Sequence, residues 1–331
     1  MVIVQSPVRI SFFGGGTDYP VWFREHGGAV LATAIDKYLY IQCRKLTPFH
    51  DHKHRIIYSK MEDVREIDEI KHPAVREVFR YMRVEEGIEM HYDSDLPARS
   101  GMGSSSSFVV GLMHALHALR GEMVDKEHLA KDAIYVEQEL IKENVGCQDQ
   151  IMCAYGGFNM VLFKPGGGFS VQPVPAKAER LTELHNHLML FYTGTSRLAS
   201  DIAKEQIKST PKKASELTAM REMVDEGLKI LTGHGPITDF GRLLHESWKL
   251  KRSLTDKISN SQIDDIYETG MKNGAVGGKL LGAGGGGFVL LFVPPEHQQQ
   301  VRASLSQFIQ VHFGYDSLGT NIIFFRQPQV A

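Results

Sequence analysis

A chain of 331 residues, 42% hydrophobic and 23% charged, is long enough for two domains with ample core and has the composition of a folded soluble protein. Its net charge of −2 excludes a general attraction to nucleic acid or to an anionic membrane, so a polyanion has to be held by a local site and a small-molecule ligand is expected. Cys43, Cys147 and Cys153 lack metal-ligand spacing and leave one cysteine over in any disulfide scheme, which points to a reducing compartment. With no apolar run of transmembrane length, and with Arg9 interrupting the first apolar stretch where a signal peptide would stay apolar, a cytoplasmic protein is expected.

In chain order, VIVQSPVRISFF and AIDKYLYIQCRKL alternate apolar and polar residues between turn signals, which predicts strands of an α+β layer in the opening third. Helical spacing of apolar residues predicts a helix over 104–119, and Asp125 opens a second one, DKEHLAKDAIYVEQELIKE, with His128 one turn on as in an N-cap. GGFNMVLF reads as a further strand. The turn-rich segment 164–180 is the expected boundary, dividing a domain 1–175 from a domain 176–331. Beyond it the pattern predicts a strand at HLMLFYTG, helices from about Ser200 through REMVDEGLKIL and FGRLLHESWKLKRSL, and a glycine loop running into strand FVLLFV. A helix near PEHQQQVRASLSQFI and a last strand, GTNIIFF, complete two α+β domains that share a cleft.

The glycine loop, GKLLGAGGGGF, has five glycines in the six positions 282–287. Glycine costs about 1 kcal/mol relative to alanine in regular structure, so such density implies a task for the backbone: convergence of N–H groups on a phosphate, or close approach of another segment. A flexible linker is the competing reading, and the apolar strand that follows at once favours an ordered loop. Gly282, Gly284 and Gly287 satisfy G-x-G-x-x-G, but a dinucleotide fingerprint has to open a helix and these glycines open a strand. A second signal is DLPARSGMGSSSSF, where Gly101 and Gly103 precede Ser104, Ser105 and Ser106 at the start of the apolar helix. Glycines permit a tight turn, and first-turn N–H groups with the helix dipole favour a phosphate, while an ordinary cap would need a single serine.

That segment resembles the second motif of the GHMP kinase superfamily, whose members include galactokinase, homoserine kinase, mevalonate kinase and phosphomevalonate kinase. SPVRISFFGGGTDYP resembles the N-terminal motif in its sugar-kinase form, and GKLLGAGGGGF the C-terminal one; the three stand in family order over nearly the whole chain. The resemblance implies an α+β two-domain fold, with an N-terminal domain like the second domain of ribosomal S5 and a ferredoxin-like C-terminal domain. It implies phosphoryl transfer from ATP with Mg²⁺, the glycine loop packing on the phosphate motif. By resemblance, Gly101, Gly103, Ser104, Ser105 and Ser106 hold nucleotide phosphates, and Ser105 with Glu137 holds the metal, Glu137 being preferred to Glu139 by its spacing to the later aspartate. Asp149, in VGCQDQ, is then the base for the acceptor proton, with Arg9 beside it. Position alone would read either glutamate as a solvated helix face and Asp149 as a turn former.

Asp18, in GGTDYP, matches the sugar-kinase aspartate that hydrogen-bonds acceptor hydroxyls. Gly14, Gly15 and Gly16 stand where galactokinases have Gly-Glu-His, which counts against galactose and predicts a wider acceptor pocket. RISFFGGGTDYPVWF resembles the D-glycero-D-manno-heptose 7-phosphate kinases, which phosphorylate the C1 hydroxyl on the route to nucleotide-activated heptose. This implies Gly15, Gly16, Thr17, Asp18, Gly284 and Gly285 around the acceptor. Its distal phosphate would be met by Arg197, near Thr195 and Ser196, or by Lys279; a surface arginine at a helix cap is the plain alternative for Arg197. A galactose- or fucose-type kinase stays open, as does a non-catalytic sensor of sugar and ATP, against which the intact Arg9, Ser105, Glu137 and Asp149 count. The expected partners are a sugar phosphate and ATP, with neither nucleic acid nor membrane; homodimerisation is left open.

Overall fold

The computed structural model describes residues 1–98, 100–195 and 199–326. Its strands are β1 (Val2–Phe13), β2 (Gly28–Lys45), β3 (His54–Ile57), β4 (Met61–Val64), β5 (Ile88–Ser94), β6 (Phe158–Phe163), β7 (Phe169–Pro173), β8 (Leu188–Tyr192), β9 (Gly277–Leu280), β10 (Phe288–Phe292), β11 (Ile309–Val311) and β12 (Asn321–Phe325). Its helices are α1 (Pro20–His26), α2 (Pro73–Tyr81), α3 (Ser104–Arg120), α4 (Lys126–Tyr135), α5 (Gln148–Tyr155), α6 (Ala178–Asn186), α7 (Ala199–Ser209), α8 (Ala214–Thr232), α9 (Thr238–Arg252), α10 (Ser261–Lys272) and α11 (Gln298–Ser304). No helix among the described residues is long and apolar enough to cross a membrane.

The long strands β1 and β2 pair antiparallel from Val2 opposite Cys43 to Phe13 opposite Leu31 and form the spine of an eight-stranded sheet ordered β12-β1-β2-β5-β3-β4, with β6 and β7 continuing from the other half of β2. β1 alternates at its start and is buried throughout from Gln5's neighbour Ser6 onward, because helices cover its second half, α3 and α5 among them. The second sheet, β11-β8-β10-β9, is antiparallel and has the wholly buried FVLLF of β10 at its centre, so the glycine loop does feed a core strand. Phe240 of α9 meets Phe12 and Phe13 of β1 edge-on, at 5.3 and 4.9 Å between ring centres, and so joins the two layers.

Several expectations change. The opening third contains α1 and α2 as well as strands. In α2, Pro73 pre-sets the first turn, and Ala74, Val75, Val78 and Phe79 lie on the buried face at helical spacing. The turn-rich 164–180 segment holds a tight turn, then β7, which pairs with β6 and stays in the first sheet as far as Pro173, and the first residues of α6. β12 also returns to β1, so the first sheet draws on both ends of the chain. The last expected helix is shorter, since Ile309 already belongs to β11. Asp125 caps α4 as expected, its Oδ1 accepting from the His128 N–H at 2.8 Å, but the helix then widens into a π turn, Val136–Leu140, marked by an Ile141 N–H to Val136 carbonyl bond of 2.9 Å. Such widened turns are frequent at functional sites.

Candidate active site

Arg9 sits in the buried stretch of β1 and grips Asp149 with both arms: Nε donates to Oδ1 at 2.7 Å and Nη2 to Oδ2 at 2.9 Å. This paired-fork geometry is among the stronger side-chain contacts available and fixes the carboxylate plane. The same arginine holds the phosphate-motif turn, Nη1 donating to the Gly101 carbonyl at 2.8 Å and its backbone N–H to the Met102 carbonyl at 3.0 Å. Asp149 lies in the first turn of α5, where the helix dipole favours negative charge, and its side chain is 25% exposed, which leaves it open to a reactant. A Cβ on Gly103 would lie 3.3 Å from that carboxyl group, so a glycine here lets the start of α3 come up beside Asp149.

Glu137, on the π turn, is fully buried. Its Oε2 accepts from Ser106 Oγ at 2.7 Å and from the Gln150 amide, and Ser105 also favours its charged form, yet Oε1 has no partner among the described residues. Burial outweighs these neutral donors and, with repulsion from Asp149, pushes the carboxyl up to about 7. A cation at Oε1 would satisfy the orphan oxygen and reverse that shift. One carboxylate and serine hydroxyls are hard oxygen donors that fit Mg²⁺, which keeps waters and phosphate oxygens in its shell and needs no cage of three or more acidic, His or Cys side chains, a grouping absent among the described residues. Glu139 is exposed and lines a separate surface pocket of about 230 Å³ with Tyr19, Arg24 and Gln138.

The two glycine segments meet backbone to backbone. Gly101 and Gly282 both adopt left-handed conformations, φ 77° and 78°, and a Cβ on Gly282 would stand 2.5 Å from the Gly101 Cα. Gly287 packs on the Ser100 carbonyl, where a Cβ would come within 2.1 Å. Gly284 and Gly285, expected at the acceptor, are sewn to the segment after α9: the Gly285 N–H donates to the Ile258 carbonyl at 2.9 Å, and a Cβ on Gly284 would lie 2.7 Å from the Ile258 Cα. The dense glycines therefore serve close approach on several sides.

Asp18 is buried beside this assembly, accepting from the Gly16 N–H at 2.9 Å and the Gln148 N–H at 3.3 Å, and burial raises its carboxyl pKa. Gly146 makes room for it, since a Cβ there would be 1.9 Å from Asp18 Oδ2. The Thr17 hydroxyl lies 2.8 Å from both the Gly14 and the Ala29 carbonyls, which share its one proton, and accepts from the Ala29 N–H at 3.1 Å, so it is engaged with the backbone of the turn. At Gly15 a Cβ would meet Ser11 and Gln148 at ordinary contact distance, 3.6 and 3.7 Å, and at Gly16 the Gln206 side chain of α7 fills the space to 2.7 Å, so the expected widening is absent at Gly16. Arg197 and Ser196 lie outside the described residues, and the Thr195 carbonyl accepts from the Gly287 N–H at 2.9 Å. Lys279 is buried between the layers, its Nζ donating to the Phe12 carbonyl at 2.8 Å.

The sequence reading missed Gly146, Gln150 and Lys251. Gln150 lay in the quoted VGCQDQ string and Gly146 beside Cys147, so motif proximity could have flagged both; Lys251 stood in an apparently ordinary amphipathic helix. The assembled groups can hold an anion at the two glycine turns, present a fixed carboxylate to a hydroxyl, and accept a hard cation.

Residues 69–157 match the family profile described as GHMP kinases N terminal domain, and residues 228–310 match GHMP kinases C terminal. The chain is 30% identical over 305 residues to D-glycero-alpha-D-manno-heptose 7-phosphate kinase of Campylobacter jejuni, a likeness covering 88% of this chain and 89% of that relative. It is 24% identical to galactokinase of Pyrococcus furiosus over 91% of each chain. A crystal structure of a D-glycero-D-manno-heptose 1-phosphate kinase from Bacteroides thetaiotaomicron superposes with a TM-score of 0.74 at 21% identity, covering 99% of this chain and all of that one.

Proposed function

The chain belongs to the GHMP kinases, and from that premise we propose that it transfers the γ-phosphoryl group of ATP to the C1 hydroxyl of D-glycero-D-manno-heptose 7-phosphate, giving the 1,7-bisphosphate. The observation that carries phosphoryl transfer is the Arg9–Asp149 pair seated against the Gly101 turn. The likeness to the Campylobacter jejuni relative supports the acceptor, together with the retained Asp18.

In this reading Asp149 takes the proton of the attacking hydroxyl. Arg9 occupies one lone pair on each carboxylate oxygen and leaves others free to accept that proton. The oxygen–phosphorus bond forms as the bond to ADP breaks, so the protein's task is alignment and charge neutralisation. Gly101, Gly103 and the N–H groups from Ser104 to Ser106 at the start of α3 cradle the donor phosphates. Asp18 orients the acceptor. Mg²⁺, held by Glu137 and the serine hydroxyls, would neutralise charge on the nucleotide phosphates when bound. The division of labour follows residues 1–175, with β12 added, for nucleotide and sugar, and residues 176 onward for the glycine loop that closes on them.

A panel of heptose 7-phosphate, free heptose, galactose and fucose, read as ADP release, tests this. Heptose 7-phosphate is expected to give the highest kcat/KM. A better turnover of galactose or fucose would overturn the acceptor, and ATP binding without ADP release on any sugar would favour the sensor.

A further inference from the structure

Lys251 lies in the last turn of α9, the helix that carries Phe240 against β1, and it is 6% exposed. Its Nζ donates to the carbonyl of Gly282, the residue that packs on Gly101. An ammonium has three N–H donors, and among the described residues this one makes no ion pair and no second hydrogen bond. Arg9 and Lys251 thus grip the two abutting glycine turns from opposite layers, Arg9 through the Gly101 carbonyl at 2.8 Å and Lys251 through that of Gly282.

A buried ammonium without a paired carboxylate is costly, and an apolar side chain of similar length would fill the space at less cost. The charged groups that face it are Arg9 on β1, Asp18 before α1, Asp149 on α5 and Lys279 on β9. Asp149 is taken up by Arg9, Asp18 is served by two backbone N–H groups, and burial disfavours the charge on Lys279, so no carboxylate of the cluster is left to pair with the Lys251 ammonium. An anion entering at the glycine turns would supply that missing partner.

We propose that Lys251 is a further catalytic residue, which clamps the Gly282 turn and offers its remaining N–H donors to the phosphoryl group in transfer. This rests on the kinase reading but not on the identity of the sugar. The proton from the acceptor still passes to Asp149; Lys251 keeps its own proton and donates hydrogen bonds as negative charge shifts from the acceptor oxygen to ADP. Burial and the neighbouring Arg9 push the free ammonium down to about 8, and an incoming phosphate stabilises its charged form.

Lys251→Met and Lys251→Arg are compared with wild type on heptose 7-phosphate, or on whichever sugar the panel selects, so a wrong sugar and a wrong role for Lys251 are separable. Lys251→Met should lower kcat by roughly 10²–10³ while the ATP dissociation constant changes by less than about threefold and the melting temperature does not fall. Wild-type kcat/KM should decline above pH about 8, and Lys251→Arg, which stays charged, should keep a measurable rate and lose that decline. A kcat for Lys251→Met within threefold of wild type overturns the proposal. So does a wild-type profile that stays flat to pH 9.5, or an alkaline decline unchanged in Lys251→Arg.

Discussion

Asp149 and Glu137 come from adjoining stretches of chain and feel each other's charge, yet they are held in opposite ways. Asp149 has a full counter-charge in bidentate contact and an exposed edge. Glu137 has neutral donors on one oxygen, no partner on the other among the described residues, and no exposure. On the proposed reading, the first carboxylate would take the proton of a reactant and the second would hold a cation that stabilises its charge. Two acidic residues acquire different chemistry from different surroundings.

The comparison breaks most sharply at Asp149. Asp149→Asn keeps the size but cannot take the proton, so kcat should fall by roughly 10²–10⁴ with ATP affinity nearly unchanged, as read by steady-state ADP release and equilibrium nucleotide binding. An unchanged kcat would remove Asp149 from the reaction. At the other carboxylate, Glu137→Gln should raise the Mg²⁺ concentration for half-maximal rate by roughly tenfold or more, and the exposed Glu139→Gln should not.

A pH experiment without metal sharpens the same contrast. Native Glu137 holds its proton to about pH 7, against an ordinary 4.5, so the native state binds more protons than the unfolded chain between those values, and stability falls as pH rises from 4.5 to 7. Thermal melts of the metal-free protein should show that slope, up to about 3 kcal/mol in all, and lose it in Glu137→Gln. A slope that survives the substitution would place its origin elsewhere. The smallest effect is at the acceptor side: Gly146→Ala pushes a methyl into Asp18 and should lower kcat/KM for the sugar by roughly tenfold, through a higher KM, while leaving the Mg²⁺ dependence alone.

Much of the fold was legible where a local rule was enough. The serines after Gly103 announce the start of α3, Asp125 announces α4, and the apolar run after Gly287 becomes the centre of the second sheet. The helix α2 had its signal too, in Pro73 and the spacing from Ala74 to Phe79, but strand alternation on either side of it masked the change of period. The hairpin at β7 was hidden because a run of glycine and proline marks a turn without saying whether the chain leaves the sheet or comes back to it.

The sequence by itself determined the three motifs, their order and their chemistry: glycines where backbones or phosphates come close, serines at a helix start, and Arg9, Asp18, Glu137 and Asp149 as the ionisable candidates. Only the tertiary structure decided which group each one faces. It separated buried Glu137 from exposed Glu139, turned Thr17 inward onto backbone, filled the gap at Gly16 with Gln206, and brought Lys251 to Gly282. The physical reason is that a side chain's type fixes the charge it can carry, whereas desolvation, counter-charges and free space come from segments distant in sequence, and these fix whether that charge is paired, orphaned or available.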